Sequence, residues 1–283
     1  MSAADLEAPR ALRKPGDTDA VTFSWADDGA GLYGLARCAG GAGPDGEPSA
    51  SALAIAFAER DPLGAIAVAG PVAPTELIAE IEAPLQRWTV HAEGELQFTL
   101  SFEALTPPAS YRKPLVKAGG MEGYEQLCRV RGTVRAGARE RPVRGLGQRG
   151  HSWGNPDWDK IALTRAVGAW FDDGSGVVLA TVRPAGAQHH AEEAAWAASL
   201  SPDGMREVDE VRLSTTTDDA QRQIRAGLEL WLDKNDDYPH RGTGEVLTGS
   251  TLELGALRLD VAFFRWHVEG RAGIGRYDVI RRS

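Results

Sequence analysis

The sequence predicts an all-β fold. Apolar residues recur at every second position, glycine-rich turns punctuate the chain at short spacing, and helical periodicity is almost missing. The one helix expected is short, about Pro74 to Glu82, with Thr75 as its cap. Trp88-Thr-Val-His91, the turn at Glu93-Gly94 and a strand from Leu96 read as a hairpin. In that strand Leu96, Phe98, Leu100 and Phe102 alternate with Gln97, Thr99, Ser101 and Glu103, so one face points inward. Ala104 to Gly120 carries Pro107, Pro108, Pro114 and two adjacent glycines, which suits a long loop over a cavity mouth. Ala169-Trp-Phe171 and Val177-Val-Leu179 flank Asp-Asp-Gly-Ser-Gly, a second hairpin. Asp218-Asp219 resembles a helix start. Ile224, Ala226, Leu228, Leu230 and Leu232 nevertheless keep a strict two-residue period, and this decides for a strand. Leu257–Val268 and Tyr277–Arg281 are expected as the last two strands.

The length of 283 residues accommodates two domains of about 140 residues each. The glycine-bearing stretch Ala136–Glu140 marks the expected boundary. It gives a domain over 1–140, with 1–19 as a flexible tail, and another over 141–283. The net charge of −9 argues against a nucleic-acid partner. The longest apolar stretch, Ala52–Ala58, is far short of the ~20 residues of a membrane helix, so no stable membrane insertion is expected. The first residues are polar and lack the apolar core of a secretory signal. Cys38 and Cys128 stand in no metal spacing and read as inert reduced thiols. Together these lead to the expectation of a cytosolic protein. The oligomeric state is not readable.

The most unusual segment is Gly145-Leu-Gly-Gln-Arg-Gly-His-Ser-Trp-Gly-Asn-Pro-Asp-Trp-Asp159. Its glycines and proline suggest a loop or a distorted strand end. Arg149, His151, Trp153, Asp157 and Trp158 gathered there are what a concave site needs: apolar walls and a few aimed polar groups. The same residues would also suit a core corner, with Trp153 and Trp158 as anchors and His151 and Arg149 satisfying carbonyls.

Arg-Gly-His-Ser-Trp-Gly-Asn-Pro-Asp-Trp, preceded by Gly123-Tyr124-Glu125-Gln126, resembles the signature of the carotenoid 1,2-hydratase family (hydroxyneurosporene synthase-like, or AttH-like). The resemblance covers most of the chain, with Trp25 to Val72 as the opening strands of the first half. It implies two lipocalin-like β-barrel or sandwich domains packed side by side, and a ligand cavity at or between them. It also implies chemistry on terpenoid or similar apolar molecules (hydration or cyclisation) without a cofactor. One departure matters. The family has Asp before the His, and here stands Gly150. Without that carboxyl, acid-initiated chemistry needs another donor, with Glu125 first, then Asp157 and Asp159. His151 as an imidazolium would have its pKa lowered in an apolar cavity.

Other features carry less. Trp88, Trp170, Trp196, Trp231 and Trp266 could line a pocket, but core packing suits any one of them better. Trp231 lies on the polar parity of its strand and is expected to be substantially buried. His189-His190 reads as an exposed turn, and no metal site is expected. Asp233–Asp237 lacks the glycine and the closing Glu of a calcium loop. Gly-His-Ser-Trp-Gly matches a nucleophile elbow in letters only, since the chain lacks the alternating helices of a hydrolase. The sequence therefore predicts a cofactor-independent enzyme that cyclises, isomerises or hydrates a hydrophobic small molecule. Glu125, His151 and Asp157 are the candidate catalytic residues, and Tyr124, Arg149, Trp153, Trp158 and Trp231 the candidate binding residues. The alternative is a non-catalytic lipid or terpenoid carrier.

Overall fold

The computed structural model describes residues 3–43, 45–189 and 192–283. These divide into two compact units. The first comprises residues 1–110 and 121–156, and the second 111–120 and 157–283.

The first unit holds α1 (Ala3–Glu7) and ten strands. These are β1 (Thr18–Asp27), β2 (Leu32–Ala42), β3 (Pro48–Ala58), β4 (Asp61–Gly70), β5 (Leu77–Ala83), β6 (Arg87–Ala92), β7 (Leu96–Ala104), β8 (Ala109–Ser110), β9 (Met121–Ala136) and β10 (Arg139–Gly154). They form one antiparallel sheet in the order β4-β3-β2-β1-β10-β9-β7-β6-β5, with β8 added to β9. The sheet curls on itself: a Cβ at Gly64 in β4 would lie 3.2 Å from the Leu96 Cβ in β7. Phe23, Trp25, Trp88, Phe98, Leu100, Phe102 and Val130 fill the interior.

The second unit holds α2 (Lys113–Gly119) and nine strands. They are β11 (Ile161–Trp170), β12 (Gly176–Pro184), β13 (Ala194–Ser201), β14 (Gly204–Glu207), β15 (Glu210–Thr217), β16 (Gln223–Trp231), β17 (His240–Leu254), β18 (Leu257–Val268) and β19 (Arg271–Arg282). Their order is β14-β13-β12-β11-β19-β18-β17-β16-β15. This is the path of the first sheet repeated: four strands in reverse order, the last strand against the first, then the others outward. The interior is built from Val167, Phe171, Leu179, Leu228, Leu230, Phe264, Trp266 and Tyr277. Each unit is thus a lipocalin-like antiparallel β domain.

The hairpins at Glu93-Gly94 and at Asp172–Gly176, the strand at 223–231 and the last two strands stand where the periodicity puts them. Four expectations change. The segment Pro74–Glu82 is not a helix. Residues 77–83 form β5, paired with β6, and tertiary pairing overrides the helical preference of Glu, Ala and Leu. Leu77, Ala79 and Ile81 do alternate, but Ile78 on the outer face hides the period. The loop expected at 104–120 contains α2, begun by Pro114 near its N-terminus and ended by Gly120 at φ 65°. The glycine stretch at 136–140 is no domain boundary but the turn between β9 and β10 inside one sheet, and the units divide at Pro156/Asp157. Residues 3–19 are not a loose tail: Glu7 is only 4% exposed.

Candidate functional site

The segment expected as a loop is a central strand. β10 pairs with β9 through its whole length and with β1 over Leu146–Gly154, which carries the motif. Its glycines serve close strand approach rather than a turn: a Cβ at Gly145 would lie 1.9 Å from the Ala26 carbonyl oxygen. Strand alternation then sorts the motif. Arg149 and His151 face the barrel interior, and Gly150 between them faces out. On β9, Tyr124 pairs opposite His151 and Gln126 opposite Arg149, while Glu125 pairs opposite Gly150.

A cavity of about 310 Å³ lies in this barrel. Its walls are apolar: Val21, Phe23, Ala50, Ala52, Leu77, Ala79, Ile81 and Trp88. Its polar end is made by Glu7, Asp19, Arg149 and His151. Arg149, 1% exposed, ion-pairs with Glu7 and donates to the Tyr124 hydroxyl. The guanidinium lies 4.6 Å from the Trp88 ring centroid and 5.2 Å from that of Tyr124. Burial raises the Tyr124 pKa above the ordinary phenol value, against the pull of Arg149, so the hydroxyl stays protonated. The second Glu7 interaction runs to the barrel frame. Its Oε1 accepts from the Leu85 N–H at 3.0 Å and from the Trp88 indole N–H at 3.2 Å. Gln126 holds the neighbouring backbone, donating to the carbonyls of Leu85 at 3.1 Å and Thr106 at 2.7 Å.

His151 has an acceptor on each ring nitrogen: the Leu6 carbonyl lies 2.9 Å from Nδ1, and Asp19 Oδ1 lies 2.6 Å from Nε2. A carbonyl can only accept, so Nδ1 carries hydrogen, and the Nε2–Oδ1 contact holds one further proton. That proton stands at the cavity wall. The ring packs against Trp153 at 4.9 Å, and Trp153 in turn carries the Arg10 guanidinium at 3.9 Å. Cys38 also lines the cavity, and burial pushes its thiol up to about 11, so it is protonated at neutral pH.

The structure brings together Tyr124, Arg149, His151 and Trp153. It does not bring the rest. Glu125 is buried on the opposite face of the sheet, where Gln148 donates to its Oε2 at 2.7 Å. Asp157 and Trp158 belong to the second unit. Asp157 is exposed and salt-bridged to Lys160 at 2.7 Å, which lowers its pKa and leaves it no proton to give. Trp231 is half-buried on the outer face of β16 beneath the Arg212 guanidinium, 4.6 Å from its centroid. Trp170, Trp196 and Trp266 are core. His189 is exposed, and His190 lies outside the described residues. Among the described residues no three His, Cys, Asp or Glu side chains gather as a metal site, and no helix is long and apolar enough to cross a membrane. Sequence reasoning missed Glu7 and Asp19, which lie in the stretch set aside as a tail. The signal for them is indirect: an arginine on an inward strand position requires a carboxylate from somewhere in the chain.

A family model described as a domain of unknown function, DUF7064, matches residues 7–282. No curated protein sequence matches the chain. Among solved structures, an AttH-type protein of Nitrosomonas europaea is similar at 14% identity and TM-score 0.73, over 97% of this chain and 94% of the other. CghA, solved with Sch210972, is similar at 11% identity and TM-score 0.69, over 95% and 89%. Kievitone hydratase from Nectria haematococca follows at 10% identity and TM-score 0.61, over 95% and 91%. The likenesses establish the fold, and it is the fold that the Tyr-Glu-Gln and His-Ser-Trp-Gly elements lead one to expect.

Proposed function

The chain belongs to the DUF7064 family, and we propose that the cavity of its first unit binds an apolar small molecule and converts it, by cyclisation, isomerisation or hydration, without a cofactor. One observation carries this reading: a largely apolar cavity whose polar end holds a histidine and a carboxylate within hydrogen-bond distance of each other. A carrier needs no ionisable wall. The apolar walls would hold a flexible substrate in a reactive shape. The His151–Asp19 pair would deliver and recover a proton at the substrate, since both groups line the space. Glu125 and Asp157, outside this cavity, take no part in the proposal. The hydration for which kievitone hydratase is named lies within the proposed range.

Non-catalytic binding is favoured by one feature: Arg149 and His151 both stand already paired, with Glu7 and Asp19. Extraction and native mass spectrometry of the freshly purified protein should reveal a co-purified apolar compound. With that compound or its precursor, wild-type protein should give a product of equal mass, or of mass greater by one water. His151→Gln and Asp19→Asn should each cut turnover by roughly a hundredfold or more while retaining binding. A compound returned unchanged by wild-type protein establishes the carrier instead.

A further inference from the structure

Glu7 stands at the polar end of the cavity, and it does not come from the sheet. It ends the five-residue α1, and ten residues separate it from the start of β1. Among the described residues, the donors to its carboxylate come from the barrel. One oxygen takes the Leu85 N–H and the Trp88 indole N–H, and the other takes Arg149. The donors are built in place. Leu85 sits at φ 57°, in the left-handed region that non-glycine residues avoid, and the Gln126 amide clamps its carbonyl. Arg149 is buried, and its Nε has no partner among the described residues, so the guanidinium has donor capacity beyond what Glu7 uses.

A strained turn, an indole N–H and a buried guanidinium converging on two oxygens form a carboxylate seat at the end of an apolar cavity. We propose that this seat recognises the ionised carboxylate of the cavity's ligand, an apolar chain bearing a terminal acid, and that Glu7 is an exchangeable internal occupant. The proposal rests on the reading of the cavity as a ligand site and adds the headgroup to it. Glu7 competes at the high effective concentration of a tethered group. A short acid cannot displace it. Each methylene buried in the cavity strengthens a longer acid about fourfold, so displacement selects for chain length.

The test compares octanoate with 1-octanol at pH 7.5, on wild-type protein and on Glu7→Ala, by calorimetry and thermal melting. Vacating the seat should tighten octanoate at least tenfold and leave octanol within twofold. The unpaired Arg149 should lower the melting temperature of Glu7→Ala, and octanoate, not octanol, should restore it. Wild-type protein gives a second readout that needs no variant: octanoate should speed hydrogen exchange of the amides of residues 4–16, and octanol should not. Octanol binding to wild-type protein, with no gain in octanoate affinity from Glu7→Ala, overturns the seat and leaves the cavity reading standing. Bound octanoate that leaves residues 4–16 protected also overturns it. Octanoate rescue of Glu7→Ala with no octanol binding anywhere shows a carboxylate site without an apolar chain site, which overturns the cavity reading and with it the acid-bearing apolar ligand.

Discussion

Gly150 stands where the resembling family carries Asp, and its neighbourhood explains what an acid there would meet. A Cβ at Gly150 would lie 2.6 Å from Glu125 Oε2, its cross-strand partner. A carboxylate placed there would crowd a second carboxylate on a buried face. Gly150→Asp should therefore lower stability by about 1–3 kcal/mol. Combining it with Glu125→Ala should recover most of that loss, and denaturant unfolding of the two single variants and the double would measure the coupling. Additive losses would show that Glu125 is not what excludes the acid. The Tyr-Glu-Gln element thus divides by parity: Tyr124 supports Arg149 and Gln126 holds the Leu85 and Thr106 carbonyls behind the polar end of the cavity, and Glu125 holds the other face.

At the level of strands, the glycines of β10 and β19 do the same work. A Cβ at Gly145 would approach the Ala26 carbonyl oxygen to 1.9 Å, and one at Gly275 the Gly168 carbonyl oxygen to 1.9 Å. Both lie where the last strand of a unit crosses the first. No side-chain rotation relieves a clash between a Cβ and backbone, so each alanine replacement should cost about 3 kcal/mol. Hydrogen exchange should localise the damage. Gly145→Ala should expose amides of β1 and β10 and spare β11 and β19, and Gly275→Ala should do the reverse. These glycines also explain what the sequence conceals. Where a face alternates cleanly, as from Leu96 to Phe102, the strand is plain to read. A glycine that permits close approach looks the same in one dimension as a glycine that makes a turn, so β10 reads as a loop and the turn at Gly137 reads as a domain boundary. The site is legible in proportion to how local it is. Tyr124, Arg149, His151 and Trp153 sit in two motifs on paired strands, whereas Glu7 and Asp19 reach them across more than a hundred residues and leave no local pattern.

Across the whole chain, the two sheets repeat one nine-strand path, yet the cut between them is not clean in sequence. Residues 111–120 lie within the first half of the chain and belong to the second unit. Tyr111 meets Trp196 edge-on at 5.1 Å, Arg112 pairs with Glu207, and the Gly119 backbone sits against Val182. A fragment of residues 157–283 carries all nine strands of its sheet but lacks that segment. It loses an aromatic contact on a buried tryptophan and the partner of Glu207, whose carboxylate pKa is lowered chiefly by Arg112. The fragment should fold with a lower melting temperature and with Trp196 opened to solvent, seen as red-shifted emission relative to the full chain. A synthetic peptide of residues 109–121, added in excess, should raise the melting temperature by mass action and reverse the shift. A Trp196→Phe fragment should keep the thermal gain and lose the emission change. A fragment as stable alone as with the peptide would mean that the repeated strand path suffices for the second domain, and that the inserted helix is bound without contributing to its stability.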